Sequence, residues 1–438
     1  MRGWASFRAV LVWLIAVRLA LMAAMPVFEP SEARYAAISA NMARSGDFVV
    51  PHFTHNLEYQ SFDGKPPLVF QAGGLFCRAL GTDAPWKLQL GVRLFPFFSA
   101  ALLLAIVFFT VRRLADAETA RRAVMVCATV TAFYAAAGIS MTDMTLTCCV
   151  AGALLIYRRF IEKPGLPAAA GVAALLGAGM ITKGPVSLVL FALPVLADAA
   201  VNRRWRGIFD RRWLYALPVF LAVAVPWFVL IERRNPGSVL YFFYNENFLR
   251  FVSHDYGDRY GAGREAFRGV SVVWAFVATL PWALVPLWEV LCAFRERRLT
   301  RLSVCGALRD FWALAVLSIV GFWCLTSRVL LYYLFPVIPL FAVWLAGRPV
   351  MRRLDRLAPY AALLTALVVT GALVGGAMFS EKMQGAKTPF SLCENHYAYE
   401  FYHGRKTDAE LAKCRKAIDE WRAQRRKACE PKHGGGEK

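Results

Sequence analysis

Residues 88–111 read LQLGVRLFPFFSAALLLAIVFFTV, and this run decides the fold. A helix rises ~1.5 Å per residue, so ~20 apolar residues cross a ~30 Å hydrocarbon layer while pairing their own backbone polar groups. Comparable runs recur at 9–27, 123–140, 144–158, 166–181, 184–201, 213–231, 269–293, 309–326, 329–346 and 358–379. The 438 residues are 58% hydrophobic and 14% aromatic, with a mean hydropathy of +0.44. A water-soluble globule of this composition would expose a large apolar surface. The chain therefore reads as an all-α polytopic membrane protein of about eleven transmembrane helices. Its first run lacks a small-residue cleavage site and reads as a retained helix.

The distribution of Lys and Arg orients the spans. Every second short loop is basic: Arg112, Arg113, Arg121 and Arg122; Arg158, Arg159 and Lys163; Arg203 to Arg212; Arg295 to Arg301; Arg348 to Arg356. With Arg2 and Arg8 in front, the positive-inside rule puts the N-terminus and these loops in the cytoplasm and the C-terminus outside. The net charge of +21 is thus explained by topology, and nucleic acid is not an expected partner. Most cysteines lie in or beside apolar runs and read as buried thiols. Cys393, Cys414 and Cys429 sit in the polar tail, where an oxidising compartment would allow one disulfide among the three.

Two connections are too long to be simple turns. Residues 28–87 contain an amphipathic helix over Ser31 to Arg44 and an apolar stretch from Pro67 to Leu80, expected as a second helix lying at the membrane interface. Residues 232–268 form a second external loop rich in aromatic and charged residues, including Glu246, Arg250, His254, Asp255 and Asp258. The membrane domain is expected over 1–379 and a small external tail over 380–438, with a charged helix at Ala409 to Lys427 and an irregular HGGGEK end.

Four polar patches map to the external face: Glu29 to Tyr35, Phe62 to Pro67, Met141 to Met144 and Thr182 to Pro185. Asp143 and Lys183 stand next to apolar runs, where an ionisable group costs ~2.5–3.5 kcal/mol at the bilayer centre and needs a cavity or a partner. The bland reading of each is a marker of a helix end. Convergence on one face points instead to a site in which Lys and Arg hold an anion such as a phosphate, while carboxylates activate an acceptor or stabilise a developing cation.

Several runs, taken in order, carry a resemblance: EARYAAISANMARSGDFVVPHF, FDGKPPLVFQAGGLF, GVRLFPFF, MTDMTLT, GMITKGPVSLVL, PWFVLIERRNPGSVLYFFYNENFLRF and LLYYLFPVIPL. Across roughly residues 10–345 the chain resembles the GT-C glycosyltransferases that include aminoarabinose lipid A transferase and the protein O-mannosyltransferases. The resemblance implies a GT-C fold in a bacterial inner membrane and a polyprenyl-phosphate-linked sugar donor. It implies an acceptor that is a lipid such as lipid A, a glycan or a protein. No Gly-rich nucleotide loop occurs in the sequence. No cofactor is implied; a divalent metal is compatible with the carboxylates, but there is no His/Cys ligand cluster to specify one.

The same resemblance assigns roles residue by residue. The family's Asp-Glu-x-Arg-Tyr motif reads Ser31-Glu32-Ala33-Arg34-Tyr35 here, so the usual acid is missing at position 31. Glu32 is the favoured acid and Glu29, about one turn earlier, its alternate; loss of catalysis is the third reading. Arg34 and Tyr35 match the motif and otherwise pack the loop helix. Lys65 matches the lysine expected to contact the donor phosphate, with Asp63 one residue out of register. Asp143 would support the catalytic acid or orient the acceptor, and Lys183 would face phosphate. Arg250 and Tyr333 are donor-phosphate candidates; Arg250 could instead pair with Glu246 at i,i+4, and Tyr333 could be core. Two competing functions remain at this level: a transporter or flippase of lipid-linked substrates, and a non-catalytic scaffold that binds the lipid carrier.

Overall fold

The computed structural model describes residues 2–55, 58–252, 259–260, 265–296, 309–385 and 397–429. The first apolar run forms α1 (Arg2–Ala24), and the long loop after it is ordered as α2 (Ser31–Ser45), a hairpin of β1 (His52–His55) and β2 (Glu58–Ser61), and α3 (Leu68–Leu80). The hairpin, antiparallel with His52 opposite Ser61, is not legible as an alternating pattern in four-residue strands. α3 packs directly on α2: a Cβ on Gly73 would lie 2.9 Å from the Ser39 hydroxyl, so only glycine permits this approach.

Seven helices follow: α4 (Pro85–Leu114), α5 (Ala117–Thr129), α6 (Thr131–Ala136), α7 (Thr142–Glu162), α8 (Leu166–Lys183), α9 (Val186–Asn202) and α10 (Arg212–Arg234). α4 and α8 both pack against α7, the most deeply buried of the long helices, and α10 flanks α8. Helices Phe311–Cys324, Val337–Ala346 and Ala358–Gly385 complete the bundle. The main core is built of Val, Leu, Ala and aromatic side chains from α4, α5, α7 and the 337–346 helix.

Among the described residues, six helices are long and apolar enough to cross a membrane: Phe7–Ala24, Pro85–Leu114, Thr142–Glu162, Leu166–Lys183, Arg212–Arg234 and Pro359–Met378. The other expected spans coincide with shorter or interrupted helices, so eleven continuous spans is not what the fold displays. The run at 123–140 breaks at Val130, between α5 and α6. The run at 269–293 breaks between Val270–Ala278 and Leu284–Arg295, around Pro281, which cannot donate a helical hydrogen bond. The two breaks face each other. Thr131 N–H donates to the Leu280 carbonyl at 3.1 Å, and Trp282 Nε1 donates to the Thr129 hydroxyl at 2.8 Å. Each interruption thereby satisfies polar groups freed by the other, as non-helical backbone within an apolar bundle requires.

The C-terminal residues are tied to the first loop. Helix Tyr397–His403 lies on α2 and β1, with the Ala398 N–H donating to Glu29 at 2.7 Å and Arg44 donating to the Phe401 carbonyl at 2.6 Å. Glu400 is buried and accepts from Asn41 Nδ2 at 2.6 Å and from the Thr54 N–H at 2.9 Å. The expected charged helix is present at Asp408–Cys429. Cys414 is disulfide-bonded; Cys393 and the HGGGEK end lie outside the described residues, as do His254, Asp255 and Asp258.

Candidate active site

Two helix ends meet at the centre of the site. Asp143 sits in the first turn of α7 and Lys183 is the last residue of α8. Each charge lies at the helix end whose dipole favours it. The chain leaves Lys183 through Gly184 at φ +81°, where a Cβ would meet the Phe242 ring at 2.5 Å, and Pro185 opens α9 at once. This tight turn holds Lys183 Nζ 2.6 Å from Asp143 Oδ1, with both residues largely buried. The Tyr333 ring lies under the ammonium, 4.3 Å from Nζ to centroid.

Lys65 arrives from the first loop, held by Pro66 and Pro67 just before α3. Its Nζ donates to the Gly64 carbonyl at 2.6 Å and to Glu246 Oε2 at 3.3 Å. Glu246 belongs to a π-helical stretch, Tyr241–Leu249, a rare geometry that occurs frequently at functional sites. It also accepts from Arg250 Nη1 at 3.0 Å, the i,i+4 pairing anticipated from the sequence. Burial pushes the Lys65 ammonium down to about 8, against the pull of Glu246. Burial acts on Glu246 in the opposite sense, yet Lys65 and Arg250 outweigh it and keep this carboxyl below its usual range.

These groups line two adjoining cavities. A polar one of about 60 Å³ is bounded by Ser31, Arg34, Tyr35, Lys65, Asp143, Lys183, Glu246, Arg250, Tyr260, Tyr332 and Tyr333 among others. Beside it lies a groove of about 310 Å³ whose wall shares Lys65, Lys183, Glu246, Arg250 and Tyr333 and continues along Val186, Val189, Phe251, Phe322 and Trp323. One end suits an anion and the other a hydrocarbon chain.

Seven of the ten residues singled out from sequence border the polar cavity: Arg34, Tyr35, Lys65, Asp143, Lys183, Arg250 and Tyr333. Three do not. Glu32, favoured as the acid, points the other way: Arg93 Nε and Nη2 donate to its two oxygens at 2.8 and 3.1 Å, and the N–H groups of Phe28 and Ser140 donate at 3.0 and 3.1 Å. Its carboxylate is consumed by structure. Glu29 is exposed and caps the 397–403 helix. Asp63 accepts from Asn235 at 3.0 Å, Ser238 at 2.9 Å and Arg259 at 3.3 Å, joining the two external loops outside the cavity wall. Ser31, where the resembling motif carries an acid, does face the cavity. The sequence reading treated Glu246 only as a partner of Arg250 and passed over Tyr260 and Tyr332; for Glu246 and Tyr260 the dense aromatic and charged composition of the 232–268 loop was the available signal, whereas Tyr332 lies in an apolar run that offered none. Among the described residues no group of three or more His, Cys, Asp or Glu side chains is placed to hold a metal ion.

Residues 67–230 match the model of the dolichyl-phosphate-mannose-protein mannosyltransferase family. The computed fold superposes on the crystal structure of ArnT from Cupriavidus metallidurans bound to undecaprenyl phosphate with a TM-score of 0.65, at 22% identity, over 92% of this chain and 76% of that one. The likeness in fold and the partial match to the mannosyltransferase model agree with the resemblance read from the sequence. In sequence it is similar to the undecaprenyl phosphate-alpha-4-amino-4-deoxy-L-arabinose arabinosyl transferase of Edwardsiella ictaluri, 27% identical over 71% of this chain and 51% of the relative. A Pseudomonas fluorescens enzyme of the same description is 28% identical over 81% of this chain and 59% of the relative. The chain thus spans between half and three fifths of these curated relatives. Its all-α bundle, with helices long and apolar enough to cross a membrane, agrees with the all-α polytopic fold class read from sequence.

Proposed function

We propose that the chain is a membrane glycosyltransferase that moves a sugar from a polyprenyl phosphate to an acceptor at the external face. The observation that carries this reading is the shared wall of the two cavities: Lys65, Lys183 and Arg250 line both the polar cavity and the apolar groove beside it. An isoprenoid chain would occupy the groove and its phosphate the cationic end.

Asp143 takes the role of the base in this reading, in place of Glu32. Lys183 orients its carboxylate by donating to Oδ1. The acceptor hydroxyl attacks the anomeric carbon and passes its proton to Asp143. The bond from that carbon to the phosphate oxygen breaks with inversion, and the electron pair leaves on the phosphate, which Lys65 and Arg250 neutralise. The aromatic wall of Tyr35, Tyr332 and Tyr333 supports a pyranose face. Family likeness and the basic loops support an inner-membrane location with the N-terminus cytoplasmic and the tail periplasmic. The acceptor is a lipid such as lipid A, a glycan or a protein.

Mass spectrometry of membrane lipids, envelope glycans and envelope proteins from cells with the chain, without it, and with Lys65→Ala tests the proposal. Loss of the same glycosyl group in the deletion and the variant is the expected result. No change in any fraction, with the protein correctly inserted, overturns it in favour of transport or scaffolding.

A further inference from the structure

Three donors from two loops converge on one carboxylate. Glu246 is 7% exposed. Its Oε2 accepts from Lys65 Nζ at 3.3 Å and Arg250 Nη1 at 3.0 Å, and its Oε1 from the Tyr241 hydroxyl at 3.4 Å. It borders both the polar cavity and the apolar groove. The proposed reaction needs one base, and Asp143 fills that role. A second fixed negative charge on the two cations that are to hold a phosphate weakens donor binding, so it calls for its own explanation.

Building on the transferase reading above, we propose that Glu246 is an internal counter-anion: it competes with the donor phosphate for Lys65 and Arg250, and it returns to them to expel the polyprenyl phosphate product. The chemistry of the two ligands makes such a device useful. The donor is a phosphodiester with one negative charge. The product is a monoester that carries between one and two at neutral pH, since its second pKa is about 6. A cationic pair strong enough to capture the donor therefore holds the product more tightly still, and turnover would stall on release. Glu246 exchanges one set of charge-assisted hydrogen bonds for another, so capture and release are nearly balanced. It also spares the empty site the cost of two partly buried cations with no anion beside them. Glu246 is thus a positioning residue that acts through Lys65 and Arg250.

The test measures binding of undecaprenyl phosphate to the full chain in lipid nanodiscs, for wild type, Glu246→Gln, Glu246→Asp and Lys65→Ala, with thermal melts to verify folding. The expected result is binding at least about ten-fold tighter in Glu246→Gln, with Glu246→Asp in between and Lys65→Ala weaker than wild type. Added undecaprenyl phosphate should inhibit steady-state transfer by Glu246→Gln at about ten-fold lower concentration. A merely structural role predicts the opposite sign, because damage to the loop loses affinity. Unchanged or weaker binding in the folded Glu246 variants overturns the counter-anion. If Glu246→Gln does not fold, Glu246→Asp decides alone, and affinity at or below wild type overturns the proposal. Absence of any wild-type binding that Lys65→Ala lowers overturns the transferase reading, and the counter-anion with it.

Discussion

Glu32 and Arg93 form a doubly hydrogen-bonded ion pair, at 2.8 and 3.1 Å, with side chains 3% and 2% exposed. Arg93 Nη1 and Nη2 also donate to the carbonyls of Met22 and Pro26, at 2.9 and 2.7 Å. One guanidinium therefore joins the end of α1, the start of α2 and the body of α4. The resembling motif would make Glu32 the acid; its surroundings make it the anchor of the first loop.

Replacing Glu32 by Gln leaves Arg93 buried without an anion, a change that costs about 3–5 kcal/mol. A clear fall in melting temperature is the expected outcome, with the transfer rate per folded molecule within a few-fold of wild type. Thermal melts and turnover on the same detergent-solubilised preparation check this. Loss of turnover by a hundred-fold with an unchanged melt would return Glu32 to the role of acid.

Asp143 is the proposed base, so Asp143→Asn should lower kcat by roughly 10²–10⁴-fold. Binding of undecaprenyl phosphate should persist, because the proposal assigns the phosphate to Lys65 and Arg250. Single-turnover kinetics and equilibrium binding separate the two quantities. Binding lost in step with turnover would place Asp143 among the residues that organise the donor pocket.

Lys65 carries its charge only below about pH 8 in the empty site, because burial depresses its pKa. Raising the pH through that value removes the proton and with it the attraction for phosphate, so donor affinity should fall on the alkaline side. Lys65→Arg, whose guanidinium stays charged, should move this limb up beyond pH 10. Binding of undecaprenyl phosphate across pH 6.5–10 checks the prediction; an identical alkaline limb in both proteins contradicts it.

Glu400 holds the 397–403 helix to α2 and β1 through Asn41 and Thr54. Glu400→Ala leaves the Thr54 N–H without its acceptor, at about 1–3 kcal/mol, and reduces Asn41 Nδ2 to its bond with the His52 carbonyl. Faster proteolysis between residues 46 and 62 is expected. Turnover should fall as well, since Arg34 of the cavity wall lies over the Tyr397 ring at 5.8 Å. Limited proteolysis of wild type and variant in the same membranes would detect the change.

The sequence by itself determined the helical membrane bundle, because some ~20 consecutive apolar residues have few other ways to pair their backbone. It also determined that Lys65, Asp143 and Lys183 stand on polar breaks of one face, and that Glu246 reaches Arg250 at i,i+4. These are local consequences of run length and helical period. Tertiary structure alone decided which carboxylate faces the cavity. Glu32 and Ser31 are adjacent in the chain, yet Arg93, 61 residues away, claims one while the other borders the site. The facing breaks at Val130 and Leu280, the packing of α3 on α2 and the docking of the 397–403 helix are likewise partnerships between distant segments. Periodicity records which face of an element is apolar; it does not record which distant donor will satisfy a buried acceptor, and here that donor is Arg93 for Glu32 and Lys183 for Asp143.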